Sequence, residues 1–355
     1  MTGLTPAGEG GTVPAPPPKS AVMADSVLIP HPLEAMPADL AGGVVVIGNF
    51  DGVHRGHGIL LDAAVKEAHR RGTPAVVLTF EPHPRTFFRP TEPVFRLSPL
   101  PAKARLLTAF GLDGLVVANF DRAFASLSPD AFAETVLAAR LRAVAAVVGH
   151  DFRYGRGRAG TAETLAGEGN RLGFPVTVIS EVVDEAGAPV SSSGIRAALA
   201  EGRVGEAARR LGHRWFVQGE VIRGEQRGRE LGFPTANLRL SPETGLRHGV
   251  YAVTFQHGAA TYGGVASYGR RPTFDNGAPL LETFVFDFSG DLYGATVAVS
   301  FLEWIRPELR FESAAALIAE MTADAEKAKA IVKAAGAGTA IDRRLAAIAT
   351  PVVAG

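Results

Sequence analysis

The chain has 355 residues, with Lys plus Arg equal to Asp plus Glu at 36 each, and it contains no cysteine. That length suggests two domains, and the charge balance removes the electrostatic case for general nucleic-acid or anionic-membrane binding. The missing cysteine excludes disulfides, thiolate metal sites and cysteine nucleophiles.

Residues 1–26 open the chain with a Gly-, Pro-, Ala- and Thr-rich stretch in which Pro14, Pro16, Pro17 and Pro18 crowd together. Such a segment buries too little surface to offset its ordering entropy, so a disordered tail is predicted. Met23 offers an alternative start. The N-terminus lacks the basic start and long apolar core of a secretion signal. No apolar run reaches the ~20 residues that span a bilayer. The expectation is a cytoplasmic protein, monomeric or weakly self-associating, with no nucleic-acid or membrane partner.

From Val27 onward short apolar runs alternate with amphipathic stretches. Strands are predicted at Gly43–Ile47, Ala75–Phe80, Leu115–Ala118, Ala145–Val148 and Val176–Ile179, with helices at Gly58–Arg70, Ala102–Phe110 and Pro129–Leu141. This alternation implies an α/β domain over 27–203: a Rossmann-like parallel sheet with helices on both faces, whose ligands bind at the carboxyl ends of the strands. A short helix, Val204–Leu211, marks the boundary. Beyond it Trp215–Ile222, Gly249–Phe255, Leu281–Phe288 and Thr296–Phe301 read as strands joined by Gly-rich turns, and Ser313–Ala334 as a closing helix. Over 204–335 that pattern predicts a small antiparallel β-barrel with a C-terminal helix. Residues 336–355, Ala-rich, read as a loose helix or tail.

The stretch GNFDGVHRGH, residues 48–57, lies between a buried strand and a helix. Gly48 and Gly52 permit tight turning and close approach of backbone to a ligand. His54 and His57, three apart, share a helical face. The helix start presents unpaired N–H groups and the positive dipole end, where phosphate binds readily, and two imidazoles there can donate to phosphate oxygens. The Gly-Lys-Ser/Thr ending of a P-loop is missing. A Gly-rich turn with two surface histidines is the bland alternative, and the strand before it and the helix after it weigh against that.

GNFDGVHRGH resembles the His-x-Gly-His signature of the nucleotidylyltransferases and, more narrowly, the bacterial bifunctional riboflavin kinase/FAD synthetases. LTFEPHP at 78–84, VGHDFRYGRG at 148–157 and VSSSGIR at 190–196 extend the likeness in order. The resemblance implies adenylyl transfer from ATP to FMN. His54 and His57 would then contact the ATP phosphates, with Gly48, Asn49, Phe50, Asp51 and Gly52 in the same turn. Ser192, Ser193 and Arg196 would hold the triphosphate from the opposite side. The plainer reading of those three is a helix N-cap at Ser193 and a surface arginine. Phe152, Arg153 and Tyr154 could line the flavin, or could be ordinary packing.

In the second half, Gly224, Gly228 and Gly232 punctuate a loop carrying Arg223, Arg227 and Arg229, followed by Thr235-Ala236-Asn237. In an extended chain Thr235 and Asn237 point to one face and offer neutral hard oxygens suited to Mg²⁺. The stretch resembles the PTAN motif of riboflavin kinases. The segments 249–251, 264–266, 271–274 and 301–308 extend that match, and Ser267 stands where Asn would be expected after Gly-Val-Ala. The resemblance implies ATP binding by Gly224, Arg227, Gly228, Arg229, Gly232, Thr235 and Asn237. Alternation places Glu282 on one face with Phe284, Phe286 and Phe288. By resemblance Glu282 is the base that takes the proton of the riboflavin 5′-hydroxyl; alone it would read as a strand-end carboxylate in solvent.

Three other readings stand beside this one: a transferase with a different acceptor, a chain in which one half only binds flavin, and a non-enzymatic nucleotide sensor. The PTAN stretch and Glu282 argue against the first. The sensor needs neither a positioned base nor a paired His. His31, His69, His83, His150, His213, His248 and His257 show no ligand spacing, so no zinc site is assigned.

Overall fold

Successive residues of the first buried run serve opposite faces of one sheet. The computed structural model describes residues 27–185, 187–224, 233–270 and 279–350. The tail expected over 1–26 lies outside them, as do Arg227, Gly228, Arg229, Gly232 and the 271–274 segment. In β2 (Val44–Ile47) and β3 (Ala75–Glu81), Val44, Val46, Ala75 and Val77 pack into one core, with Leu61, Ala64 and Ala68 of helix α1 (Arg55–Arg71). Val45, Ile47, Val76 and Leu78 pack into another, with Phe132, Val136, Leu137 and Leu165. That period-2 division is what a sheet covered on both faces requires.

The other strands of this sheet are β1 (Pro30–Pro32), β4 (Gly114–Asn119), β5 (Ala145–Gly149) and β8 (Val176–Ile179). A short helix α2 (Pro84–Phe88) follows β3, and α3 (Leu100–Ala109) precedes β4. A separate two-residue hairpin is formed by β6 (Arg153–Tyr154) and β7 (Gly160–Thr161). All pairs in the main sheet are parallel, in the order β1-β4-β3-β2-β5-β8. The chain runs outward from β2 through β3 to β4, then returns to the other side of β2 with β5. The switch point therefore falls at the end of β2, where open α/β sheets bind ligands. At the sheet edge, β8 leaves Val178 41% exposed. The helix expected over Pro129–Leu141 begins as a capped turn at Ser128 and continues over Phe132–Arg140 with π-type bonding, the Leu141 N–H reaching the Val136 carbonyl.

The second half is a nearly closed antiparallel barrel. Its strands are β9 (Phe216–Glu220), β10 (Thr235–Arg239), β11 (Gly249–His257), β12 (Ala260–Arg270), β13 (Pro279–Val285) and β14 (Thr296–Arg306), in the order β10-β13-β12-β11-β14-β9. A bridge between Ile222 and Asn237 links its two ends. Leu238, Tyr251, Phe255, Leu281, Val299 and Phe301 fill the interior, and helix Ala314–Ala335 covers one side through Ala325, Ala328 and Ile331.

The halves share a core. Leu97, Ile195, Leu199 and the boundary helix Val204–Leu211 join the barrel interior, and the Trp215 indole donates to the Leu97 carbonyl at 2.9 Å. The segment expected as a loose helix or tail contains helix Ala340–Ala347, started by a Thr339/Asp342 capping box. Its Leu345, with Ile348 just beyond, enters the α/β core. Each such side chain contributes about 1.5–3 kcal/mol on burial. Arg105, from α3, is fully buried and ties the three parts together. Its guanidinium bonds the Gln256 side chain of the barrel and donates to the carbonyls of Leu345 and Ile348 at 2.8 and 2.9 Å.

Candidate active sites

The turn after β2 is held in a conformation its residues do not prefer. Phe50 and Val53 both adopt positive φ, 47° and 45°, flanking Gly52 at 86°. A Cβ on Gly52 would lie 2.9 Å from a Leu97 methyl, so glycine is required there by space as well as by angle. Left-handed non-glycine residues cost about 1–3 kcal/mol each and persist only when neighbours over-determine them. The neighbours here are many. Ser98 Oγ accepts from the Gly52 N–H at 2.7 Å and donates to the Phe50 carbonyl at 3.3 Å. The Ser98 N–H donates to the Asp51 carboxylate, which also pairs with Arg196. Ser192 Oγ donates to the Asp51 carbonyl at 2.9 Å, Thr79 Oγ1 to the Asn49 carbonyl at 3.3 Å, and His213 Nε2 lies 3.0 Å from the Gly52 carbonyl.

His54 caps α1 through Nδ1, which accepts from the His57 N–H. Its proton therefore sits on Nε2. The two imidazoles stack with centroids 3.7 Å apart, and Phe50 meets His57 edge-on. Burial lowers the pKa of His54 to about 4, and that of His57 well below its ordinary value, helped by the charge of its partner and of Lys103. Both rings are neutral near pH 7, and His57 Nδ1 is buried without a hydrogen-bond partner. A phosphate arriving here meets neutral donors and a helix N-terminus, not a preformed imidazolium pair.

Of the residues expected opposite the histidines, Ser192 and Arg196 reach the turn, where both bind Asp51. Ser193 is exposed in the first turn of helix Ser192–Ala200, and the N-cap is Ser191, not Ser193. The short helix is set two residues earlier because Ser191, in extended conformation, is the residue placed to accept the Gly194 N–H. Several charged neighbours lie beyond the residues assigned to the site from sequence, although Glu81 and His83 belong to the LTFEPHP segment. Glu81 takes two bonds from Arg96, at 2.6 and 2.8 Å, and lies 3.6 Å from the ammonium of Lys103, whose side chain is fully buried. Burial alone would push Glu81 up, but Arg96 pulls its pKa down. His83 is lowered to about 4, by burial first and then by the charge of Arg96. Lys103 gives a different signal in the sequence: it lies three and four residues before Leu106 and Leu107, on the apolar side of its helix.

Phe152 and Tyr154 stack at 5.4 Å, but Tyr154 is buried against Phe132 in the sheet-covering core. Arg153 is exposed. A second aromatic group, unforeseen, lies at the carboxyl ends of β3 and β4: Phe80, Phe87, Phe88, Phe120 and Phe124, with Phe88 65% exposed.

In the barrel, Glu282 is the fourth residue of seven in β13, not a strand end. Asn237 stands directly opposite it on β10 and Ser267 on β12. Thr235, Ser267, Glu282 and Phe284 line a cavity of about 270 Å³ whose far wall includes Arg306, Phe311 and Asp324. Thr235 and Asn237 share a face, as extended geometry requires, and the Asn237 amide N–H donates to the Thr235 carbonyl at 3.2 Å. A Cβ on Gly224 would lie 2.6 Å from the Asn237 amide nitrogen, so glycine lets the segment after β9 pass close over Asn237. The expected aromatic face is shorter than predicted. β13 ends at Val285, Asp287 turns through φ 53°, and Phe288 swings round to pack on Tyr262. Phe284 and Phe286 remain together.

Among the described residues no helix is long and apolar enough to cross a membrane. A family model described as FAD synthetase matches residues 36–194, and one described as riboflavin kinase matches residues 211–332. The bifunctional riboflavin kinase/FMN adenylyltransferase of Escherichia coli (strain K12) is 38% identical over 295 residues, which are 83% of this chain and 93% of that protein. The protein of the same description from Bacillus subtilis (strain 168) is 36% identical over 313 residues, 86% of this chain and 96% of that one. A crystal structure from Streptococcus pneumoniae, described as a macrolide-efflux protein, superposes with a TM-score of 0.75 at 33% identity, covering 85% of this chain and 99% of its own. With both domain matches in order and relatives aligned along nearly their whole length, the chain belongs to the family of bifunctional riboflavin kinase/FMN adenylyltransferases.

Proposed function

We propose that the barrel phosphorylates riboflavin with ATP to give FMN, and that the α/β domain then joins FMN to the adenylyl group of a second ATP, giving FAD and pyrophosphate. The carrying observation is a difference between the two sites. The barrel cavity contains a carboxylate, Glu282, set between Asn237 and Ser267. The α/β site contains neutral donors, His54 and His57, at a helix start.

That difference matches the chemistry. Riboflavin enters the kinase site as an alcohol, so its 5′-oxygen must lose a proton as it attacks the γ-phosphorus. Glu282 accepts that proton while ADP leaves. FMN brings an already ionised phosphate oxygen to the α-phosphorus of ATP, so the second step needs no base. It needs donors for the charge on the departing pyrophosphate, which His54 Nε2 and His57 supply. The Ser192 hydroxyl and Arg196, now engaged with Asp51, are the groups a triphosphate would compete for.

Thr235 and Asn237 would hold Mg²⁺ in the kinase site. Their neutral oxygens on one face of β10 fit a hard cation that takes its other ligands from phosphate and water. When bound, the ion neutralises phosphate charge. The phenylalanines at the ends of β3 and β4 give a flavin ring a stacking surface, and through Phe124 and Phe132 they are continuous with Tyr154 and Phe152. We place the enzyme in the cytoplasm, as a monomer or weak homo-oligomer.

The test is direct. Purified protein is incubated with riboflavin, ATP and Mg²⁺, and FMN and FAD are resolved by chromatography. Both products should accumulate in sequence. Absence of FMN removes the kinase assignment, and FMN without FAD removes the adenylyl-transfer assignment.

A further inference from the structure

Beneath the strained turn lies a chain of alternating charges, Lys103 and Asp51 buried and the others half-buried. The Lys103 ammonium is 3.6 Å from Glu81, Glu81 is doubly bonded to Arg96, Arg96 Nε is 3.8 Å from Asp51, and Asp51 pairs with Arg196. Three cations face two carboxylates, so the chain carries one surplus positive charge directly under the phosphate turn. Its three cations differ. Arg96 and Arg196 keep about a fifth of their side-chain surface in solvent, whereas Lys103 keeps none. A buried ammonium costs several kcal/mol unless its setting compensates for it, so nothing about packing alone favours lysine here.

Lys103 also has a mechanical link to the turn. Its Nζ donates to Thr79 Oγ1 at 3.2 Å, and that hydroxyl donates onward to the Asn49 carbonyl at 3.3 Å. With its hydroxyl oxygen engaged by the ammonium, Thr79 has its single proton directed at Asn49. A trans peptide points its N–H opposite to its C=O. Drawing the Asn49 carbonyl toward Thr79 therefore turns the Phe50 N–H away from the sheet, at the residue whose φ of 47° is otherwise unfavourable.

We propose that Lys103 is a positioning residue for adenylyl transfer: acting through Thr79, its buried charge fixes the Asn49–Phe50 peptide of the phosphate turn and makes the floor of the site electropositive toward the pyrophosphate portion of ATP. This rests on the adenylyl-transfer reading of the site. The groups facing the ammonium are Arg96, Glu81 and Asp51, and its charge is felt by His57 and His83. Burial, then the charge of Arg96, pulls it down from its ordinary value to about 8, so it is charged at neutral pH and loses its proton within an accessible range.

The experiment compares Lys103→Met, Lys103→Arg and Thr79→Val with the unaltered chain. FMN-to-FAD conversion and riboflavin-to-FMN conversion are measured on each across pH 6–10. The kinase reaction reports folding and should be unchanged. Lys103→Met should lower kcat/KM for FMN adenylylation about tenfold or more, and Thr79→Val by about threefold, less than the ~10²–10³ lost when a donor itself is removed, because both act through the turn. In the unaltered chain kcat/KM should fall as pH rises through about 8, because that parameter follows the free enzyme. Lys103→Met should lack this alkaline limb, and Lys103→Arg, charged throughout, should restore activity and lack it too. A Lys103→Met chain with undiminished adenylylation, or with the unaltered chain's alkaline limb, overturns the inference. If Lys103→Met loses the kinase reaction, Thr79→Val decides: reduced adenylylation supports the inference and undiminished adenylylation overturns it. No FAD from the unaltered chain would instead sink the underlying site assignment.

Discussion

Replacing His54 by Asn should remove a specific part of the acid sensitivity of this fold. Asn keeps a side-chain acceptor at the start of α1, so the cap survives while the titrating group goes. In the folded chain burial lowers His54 from 6.5 to about 4. A depressed histidine binds fewer protons folded than unfolded, so the stability it allows is complete above its unfolded value and is lost as pH falls toward its folded value. At pH 8 both states are neutral. At pH 5 the unfolded imidazole is nearly fully protonated and the folded one about a tenth, and the linkage integral gives about 2 kcal/mol lost between the two pH values. Urea unfolding at pH 5 and pH 8, followed by helical circular dichroism, measures this. The unaltered chain should lose about 2 kcal/mol more than His54→Asn over that interval. His57 titrates in both proteins and, relieved of its neighbour, changes the comparison in the same direction. Parallel pH dependence of the two chains would refute the claim that His54 is buried neutral.

Two further substitutions probe the barrel site and the junction. Gly224→Ala should raise KM for ATP in FMN formation and leave FAD formation from FMN unchanged, because its Cβ would press within 2.6 Å on the Asn237 amide; steady-state kinetics of each half-reaction checks this. Arg105→Met leaves the Gln256 side-chain oxygen and the Leu345 carbonyl without their donor, while the Ile348 carbonyl keeps the Gln256 amide N–H. At about 1–3 kcal/mol for each buried group left unpaired, it should release helix Ala340–Ala347 and make the chain cleavable by protease near 336–350 while the kinase reaction persists.

What the sequence discloses is whatever a short stretch decides. Gly48–His57 declares itself because the glycines, the histidine pair and the helix start are contiguous. The two-residue period of a strand places Thr235 with Asn237 and Glu282 with Phe284, the family resemblance singles them out, and the structure sets Asn237 and Glu282 opposite each other, which no local pattern states. The charge chain from Lys103 to Arg196 is illegible in sequence because it converges from β3, the loop before α3, α3 itself, the turn and helix Ser192–Ala200. No local pattern pairs one member with the next. Helix Ala340–Ala347 reads as loose because its Ala-rich sequence has a weak apolar pattern, and Arg105 and the α/β core decide its position. Alternation over-extends the aromatic face of β13 because a positive φ at Asp287 ends it. Phe152 and Tyr154 suit a flavin by residue type, whereas burial of Tyr154 against Phe132 depends on packing across the sheet.

Two separate sites work in one chain, the product of the first serving the second. A mixture of equal amounts of Glu282→Gln and His57→Ala, supplied with riboflavin, ATP and Mg²⁺, puts that arrangement to the test. Neither variant alone should make FAD from riboflavin: the first should make no FMN, and the second should stop at FMN. The mixture should make FAD, because released FMN reaches the intact turn of the Glu282→Gln chain. FMN accumulating in the mixture without FAD, when Glu282→Gln alone also fails to convert added FMN, would contradict the independence of the two sites.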